Sequence, residues 1–181
     1  MELNAGKCVV LSFKRSSNII LIDYLLDNAP LRRVVKFKDL GVFHSSSLSP
    51  YDPYIQHIVS RANSLLGFIF RSTKHFVSPY SMVILYKALV RPILEYGSII
   101  WSPYQLNHVH SLNNVQKRFV RMLGCRLGWN YFGTPIAEIE NQFALRPLDS
   151  RRQITNLVTL YKLVNGLVDC PVLLSSVDLS V

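Results

Sequence analysis

A proline stands in the middle of a strongly apolar helical pattern: Leu85-Tyr86-Lys87-Ala88-Leu89-Val90-Arg91-Pro92-Ile93-Leu94-Glu95-Tyr96-Gly97-Ser98-Ile99-Ile100-Trp101. Inside a helix, proline removes one backbone hydrogen bond and costs about 3 kcal/mol, so a kink at Pro92 has to be held by tertiary packing. A chain built around such a segment needs other helices to pack against it.

The periodicity supplies them. From Pro53 onward, Ile55, Ile58, Val59, Ala62, Leu65, Leu66, Ile69 and Phe70 recur at three- and four-residue steps, with Gln56, Ser60, Arg61, Asn63, Ser64 and Arg71 elsewhere. Ser78-Pro79 is an N-cap with proline in the first turn and opens the helix that carries the Pro92 segment; Trp101-Ser102-Pro103 closes it. A further helix is expected from about Asn107 to Gly124, with Val109, Leu112, Val115, Phe119, Val120 and Leu123 inward and Gly124 as its stop. Thr134-Pro135 starts a short helix through about Asn141. The last helix begins near Leu148 to Ser150, puts Ile154, Leu157, Val158, Tyr161 and Val164 on one stripe, and stops at Gly166.

Residues before this helical part have β character. Cys8 to Phe13 and Ile19 to Ile22 are β-branched runs separated by a polar turn, and Arg33 to Lys38 alternates before Leu40-Gly41-Val42. The predicted class is α+β and mainly α: a small N-terminal β hairpin or sheet piece, then a bundle of about five helices. The predicted division is 1–48 for the β part, 49–170 for the helices and 171–181 for a C-terminal tail, with the serine-rich stretch from Ser45 to Pro50 as the boundary.

Composition bounds the function. Of 181 residues, 49% are hydrophobic and 17% charged, which excludes a disordered chain and suggests surfaces that another body covers. Twenty Lys and Arg against eleven Asp and Glu leave a formal charge of +9, favouring a polyanionic partner. A membrane span is disfavoured, because the longest charge-free stretch, Tyr96 to Gln116, is interrupted by Pro103, Gln105, Asn107, His108 and His110. The start carries no secretory signal pattern, and Cys8, Cys125 and Cys170 are too far apart for a zinc motif, so the thiols are expected to be reduced in an intracellular setting.

No catalytic constellation emerges. Two-metal nucleotidyl transfer needs clustered carboxylates, and this chain has no adjacent acidic pair; Asp23, Asp27 and Asp39 stand singly. Phosphate-cradling glycine loops, nucleophile elbows and His-Glu-x-x-His helices are also missing, so neither catalytic nor metal residues are assigned. The chemistry-bearing feature is a basic cluster. Lys117, Arg118, Arg121 and Arg126 fall within ten positions with no acid among them; Lys117 and Arg121 are four apart and Arg118 and Arg121 three apart, so one helical face can present them to successive phosphates. Arg91 and the pair Arg151-Arg152 are further candidates; positive charge near a helix N-terminus opposes the macrodipole and calls for a partner, for which Asp149 is the local choice.

Several strings resemble one family in the same order. Asn4-x-x-Lys7-Cys8, Phe37-Lys38-Asp39-Leu40-Gly41-Val42, Ala62 to Ile69, Leu89-Val90-Arg91-Pro92-Ile93-Leu94-Glu95-Tyr96, Trp101-Ser102-Pro103, Val115 to Phe119 and Tyr161 to Gly166 are similar to the region downstream of the polymerase core in non-LTR (LINE-type, jockey-like) retrotransposon reverse transcriptases. The resemblance implies that the chain spans the end of the palm, the primer-grip hairpin, the thumb and the connection. Lys7 would then be the lysine of polymerase motif D near the incoming triphosphate, and Leu40, Gly41 and Val42 the core of the primer grip. Family enzymes copy RNA into DNA with Mg²⁺ held by palm aspartates in an Ala-Asp-Asp-type turn. This chain carries no such turn, so it implies no cofactor of its own and no polymerisation alone. His44-Ser45 and Pro50 to Pro53 depart from the family pattern.

The expected partner is an RNA/DNA primer-template duplex, together with the missing palm and fingers, and the expected setting is the nucleus if the family role is retained. Two other classes compete: a helical module that docks on protein, and a translated pseudogene with no selected function.

Overall fold

The computed structural model describes residues 4–13, 22–46, 52–75 and 78–177. The chain divides into two compact units, 1–60 and 61–181. The boundary expected at 48/49 and the turn expected over 14–18 lie outside the described residues, as does nearly all of the strand expected at 19–22.

In the first unit, Ala5–Lys7 forms a single 3-10 turn leading into β1 (Val9–Leu11). β1 pairs in parallel with β4 (Arg32–Val34), Val10 opposite Arg33, a long-range partner that alternation alone does not reveal. The connecting chain carries β2 (Leu25–Leu26) and β3 (Ala29–Pro30), joined through Asp27 and Asn28, both at positive φ. That geometry is the two-residue turn whose twist suits a hairpin. The strand predicted over Arg33 to Lys38 is broken at Val35, because β4 pairs with β1 whereas β5 (Lys36–Asp39) pairs antiparallel with β6 (Val42–Ser45). Leu40 and Gly41 make the β5–β6 turn at φ 43° and 88°. Val42 is buried, and Phe43 lies 6.0 Å from Tyr54 and 5.7 Å from His57 on the first turns of the following helix.

That helix, α1 (Asp52–Ser72), is the one the apolar period predicts. In the second unit its Ala62, Leu66 and Ile69 are buried. Next comes α2 (Pro79–Leu85), which starts at Ser78 as expected, although the serine hydroxyl makes no capping bond. Pro92 does not break the helix that follows. The preceding turn widens to a π-turn over Tyr86–Val90, with the Arg91 N–H donating to the Tyr86 carbonyl, and α3 (Arg91–Glu95) continues directly. The widened turn takes up the donor that proline lacks and the crowding its ring imposes on the carbonyl four residues back. Met82, Tyr86, Val90 and Leu94 stay buried on one stripe across this defect.

Gly97, at φ 64°, turns the chain into α4 (Ser98–Trp101), where the Trp101 Nε1–H donates to the Tyr96 carbonyl at 2.7 Å. Then α5 (Leu106–Arg126) buries Leu112, Val115, Phe119, Val120 and Leu123. It does not stop at Gly124. The helix closes at Gly128, whose φ of 90° lets the Trp129 N–H reach the Gly124 carbonyl and its own N–H reach Cys125. Gly124 instead permits close packing: a Cβ there would sit 2.4 Å from Cγ2 of the buried Thr134.

α6 (Ile136–Gln142) and α7 (Leu148–Val164) follow, and α7 ends at Gly166 as predicted, the Leu167 N–H closing on the Lys162 carbonyl. Part of the expected tail forms a short helix, α8 (Pro171–Ser175). The stripe of Ile154, Leu157, Val158, Tyr161 and Val164 exists but is exposed; the packed face of α7 is that of Leu148, Arg152 and Leu163. The architecture is thus mainly α within an α+β chain.

Candidate nucleic-acid interface

The C-terminal half of α1 and α5 lie side by side. Arg118 Nη1 donates to Asn63 Oδ1 at 3.4 Å; eight residues further along α5, Arg126 donates to the carbonyls of Phe70 at 3.2 Å and Lys74 at 2.9 Å. Contacts that advance together along both helices mean that the two run parallel. Residues 61–75 and 106–126 contain no Asp or Glu, while Arg61, Arg71, Lys74, Lys117, Arg118, Arg121 and Arg126 all belong to them. With Arg71 and Lys74 beside Arg126 the pair presents a cationic face, whereas Arg61, about 200° around α1 from the α5-facing Asn63, points away from it. Sequence reading found the α5 half; the α1 half was legible only as a stretch without acids, and its place beside α5 is a tertiary fact.

The cations on this face differ. Lys117 and Arg118 are exposed, opposite the buried Phe119 and Val120. Lys117 and Arg121 are about 6 Å apart along the axis, one helical turn, so they can meet separate phosphates. Arg121 is half-buried, its guanidinium 5.7 Å from the Tyr131 ring. Arg126 serves the fold first: it sits 5.0 Å over the Phe70 ring and caps the carbonyl end of α1, where the helix dipole favours positive charge. Phe70, Arg71, Lys74, Cys125 and Arg126 line a cavity of about 330 Å³ at this end of the face. Beyond α5, the loop at 127–135 exposes Trp129 and Phe132 near the Arg121–Tyr131 pair. These aromatics were not anticipated from the sequence, although basic and aromatic side chains interleaved are the pattern of a base-stacking platform.

The remaining candidates lie apart from this face. Arg151 makes a two-point pair with Glu95, its Nη2 3.0 Å from Oε2 and its Nε bonded to Oε1. The hydrogen bond to Glu95 holds the Arg151 guanidinium more firmly protonated than usual. Arg152 is 4% exposed, and neither Nη1 nor Nη2 finds a partner among the described residues. Burial pulls its basicity down, with Asp149 and Glu95 pulling the other way. The Arg151 charge is thus already matched by Glu95, and Arg152 lies inside. Arg91 is half-buried beside the Tyr86 hydroxyl, on which its charge acts.

A polar network crosses the core behind the face. Tyr86 stacks on Phe119 with centroids 4.2 Å apart, and its hydroxyl donates to Gln116 Oε1 at 3.0 Å. Gln116 Nε2 then donates to Glu140 Oε1 at 2.9 Å and to the Arg146 carbonyl at 3.1 Å. Burial first, and the Glu95 charge next, push the Tyr86 hydroxyl well above the ordinary phenol value of 10.0. Below that value the hydroxyl is protonated whether the chain is folded or not. Above it, the unfolded chain releases the proton that the folded chain keeps, so stability falls by about 1.4 kcal/mol per pH unit from this group alone. Urea melts from pH 9 to about 11.5 are expected to show the decline in wild type and a shallower one in Tyr86→Phe, which also loses about 1 kcal/mol at neutral pH with the Gln116 bond.

In the first unit, Leu40 is 82% exposed at the hairpin tip while Val42 beneath it is buried. A leucine at positive φ costs on the order of 1–2 kcal/mol relative to glycine or asparagine, and here no burial offsets it. Lys7 is exposed on its 3-10 turn. Among the described residues no three His, Cys, Asp or Glu side chains gather into a group that could hold a metal ion. Cys8, Cys125 and Cys170 are free thiols, and no described helix is long and apolar enough to cross a membrane. Compared with protein-family models, curated proteins and solved structures, the chain matches none.

Proposed function

We propose that this chain is a thumb-and-connection-like piece of a retrotransposon RNA-directed DNA polymerase that grips the backbone of a primer-template duplex without reading its sequence. The observation that carries the proposal is the acid-free pairing of α1 and α5, with Lys117 and Arg118 exposed and Arg121 beside them. Arg71 and Lys74 extend the same face. Contacts to phosphates fix a duplex in register without specifying bases. Trp129 and Phe132 supply ring surface for an unpaired base at the edge of the duplex. In the first unit, the exposed and strained Leu40 supports the primer-grip assignment of the β5–β6 turn, since neither packing nor backbone preference explains a leucine there. Polymerisation is not assigned to this chain by itself, because the acidic turn that would hold Mg²⁺ is not in the sequence. The role belongs to the nucleus.

Titrating an RNA/DNA hybrid duplex at several salt concentrations tests the proposal. With about four phosphate contacts, affinity is expected to fall by roughly 10²-fold between 50 and 200 mM salt and to stay the same when base order is scrambled. Binding that ignores salt, or that depends on base order, overturns it.

A further inference from the structure

A long apolar face of α7 is turned away from the core. On α7, Ile154, Leu157, Val158, Tyr161 and Val164 recur every three or four residues, on the side opposite the buried Leu148, Arg152 and Leu163. Past Gly166, Leu167 and Val168 are exposed as well, as are Val172, Leu173 and Leu174 of α8, which contacts α7. A helix that is apolar on both sides is expected to be covered on both sides. These side chains are between 41 and 75% exposed. Together they offer on the order of 1,000 Å² of apolar surface, above the few hundred Å² usual for a monomer and comparable with the roughly 800 Å² per partner of a stable interface.

We propose that a second copy of this chain covers this face, α7 pairing antiparallel with its counterpart about a twofold axis near Tyr161. Charge selects the occupant. The chain carries +9 overall, so two copies repel nearly everywhere, yet from 153 to 177 the only charges are Lys162 and Asp169, which cancel. On this exposed apolar face like molecules can approach with little of that cost. An isologous contact also requires self-complementarity, which a stripe repeating at three and four residues provides. Direction follows from the helix dipoles. In the antiparallel pair Tyr161 meets Tyr161, Val158 meets Val164, and the two helix dipoles oppose one another. A parallel pair would align the dipoles.

Sedimentation of the full chain tests the proposal, and it is independent of nucleic-acid binding. Wild type is expected to be a discrete dimer at about 100 µM and Leu157→Glu/Tyr161→Glu a monomer, its dissociation constant raised about 100-fold or more, with unchanged helicity because neither side chain packs internally. Tyr104→Glu, at an exposed position outside the stripe, is expected to remain dimeric. With the three native cysteines replaced by serine, Tyr161→Cys is expected to form an intermolecular disulfide under mild oxidation and Ile154→Cys none. A monomeric or polydisperse wild type, a dimer that survives the double glutamate substitution, or equal cross-linking at 154 and 161 overturns it.

Discussion

Reversing three charges, K117E/R118E/R121E, is expected to lower affinity for a hybrid duplex by on the order of 10²-fold at 0.15 M salt. The figure follows from counterion release: each phosphate contact contributes about 0.9 to the slope of log affinity against log salt, so losing three removes about 2.7 from the slope and about two decades of affinity at that salt. The fold should pay little for the substitution. Lys117 makes no hydrogen bond or ion pair in the structure's described contacts, the Arg118 bond to Asn63 is long and exposed, and the Arg121–Tyr131 contact is a surface cation–π pair worth about 0.5–1 kcal/mol. Circular dichroism should therefore be unchanged while the salt slope flattens. Equal affinity and equal slope in the triple variant would sink the phosphate-grip assignment, whatever the chain's oligomeric state.

The largest stability effect is expected at Trp101. Its side chain is 0% exposed, and its indole N–H closes on the Tyr96 carbonyl just after the Gly97 turn, pinning the end of the π-widened helix. Trp101→Ala loses the transfer free energy of the largest core side chain and leaves a cavity, about 3–5 kcal/mol in all, a sizeable part of the 5–15 kcal/mol that holds an ordinary domain together. The midpoint of thermal unfolding should fall by on the order of 10 °C. Trp101→Phe keeps most of the ring volume and should lose less, chiefly the hydrogen bond. If Trp101→Ala costs under about 1 kcal/mol, α4 does not anchor this segment in the way its burial implies.

Where the sequence was legible, the cause was local. The period of Ile55 to Ile69, the Ser78-Pro79 start and the Gly166 stop are dictated by side-chain spacing and by backbone conformations that particular residues favour, and all three are found where expected. The basic cluster on α5 was visible for the same reason, since three- and four-residue steps put charges on one helical face. What failed needed knowledge of neighbours. Gly124 was expected to end α5, but it is a contact point for Thr134, and the ending belongs to Gly128. For Arg151 and Arg152 the local choice of partner was Asp149, but Arg151 pairs with Glu95, 56 residues before it, and Arg152 lies on the packed face of α7.

The amino-acid order by itself determined that this chain is mainly helical and cationic, which residues share each helical face, and that Pro92 must be accommodated inside a helix. Only the tertiary structure decided that a π-turn accommodates it, that the acid-free segments of α1 and α5 merge into one basic surface, and that the apolar stripe of α7 faces outward. The reason is physical: periodicity and capping act over a few residues of backbone, whereas which of two apolar faces is buried, and which cations find partners, depends on the free energy of contacts between segments far apart in the chain.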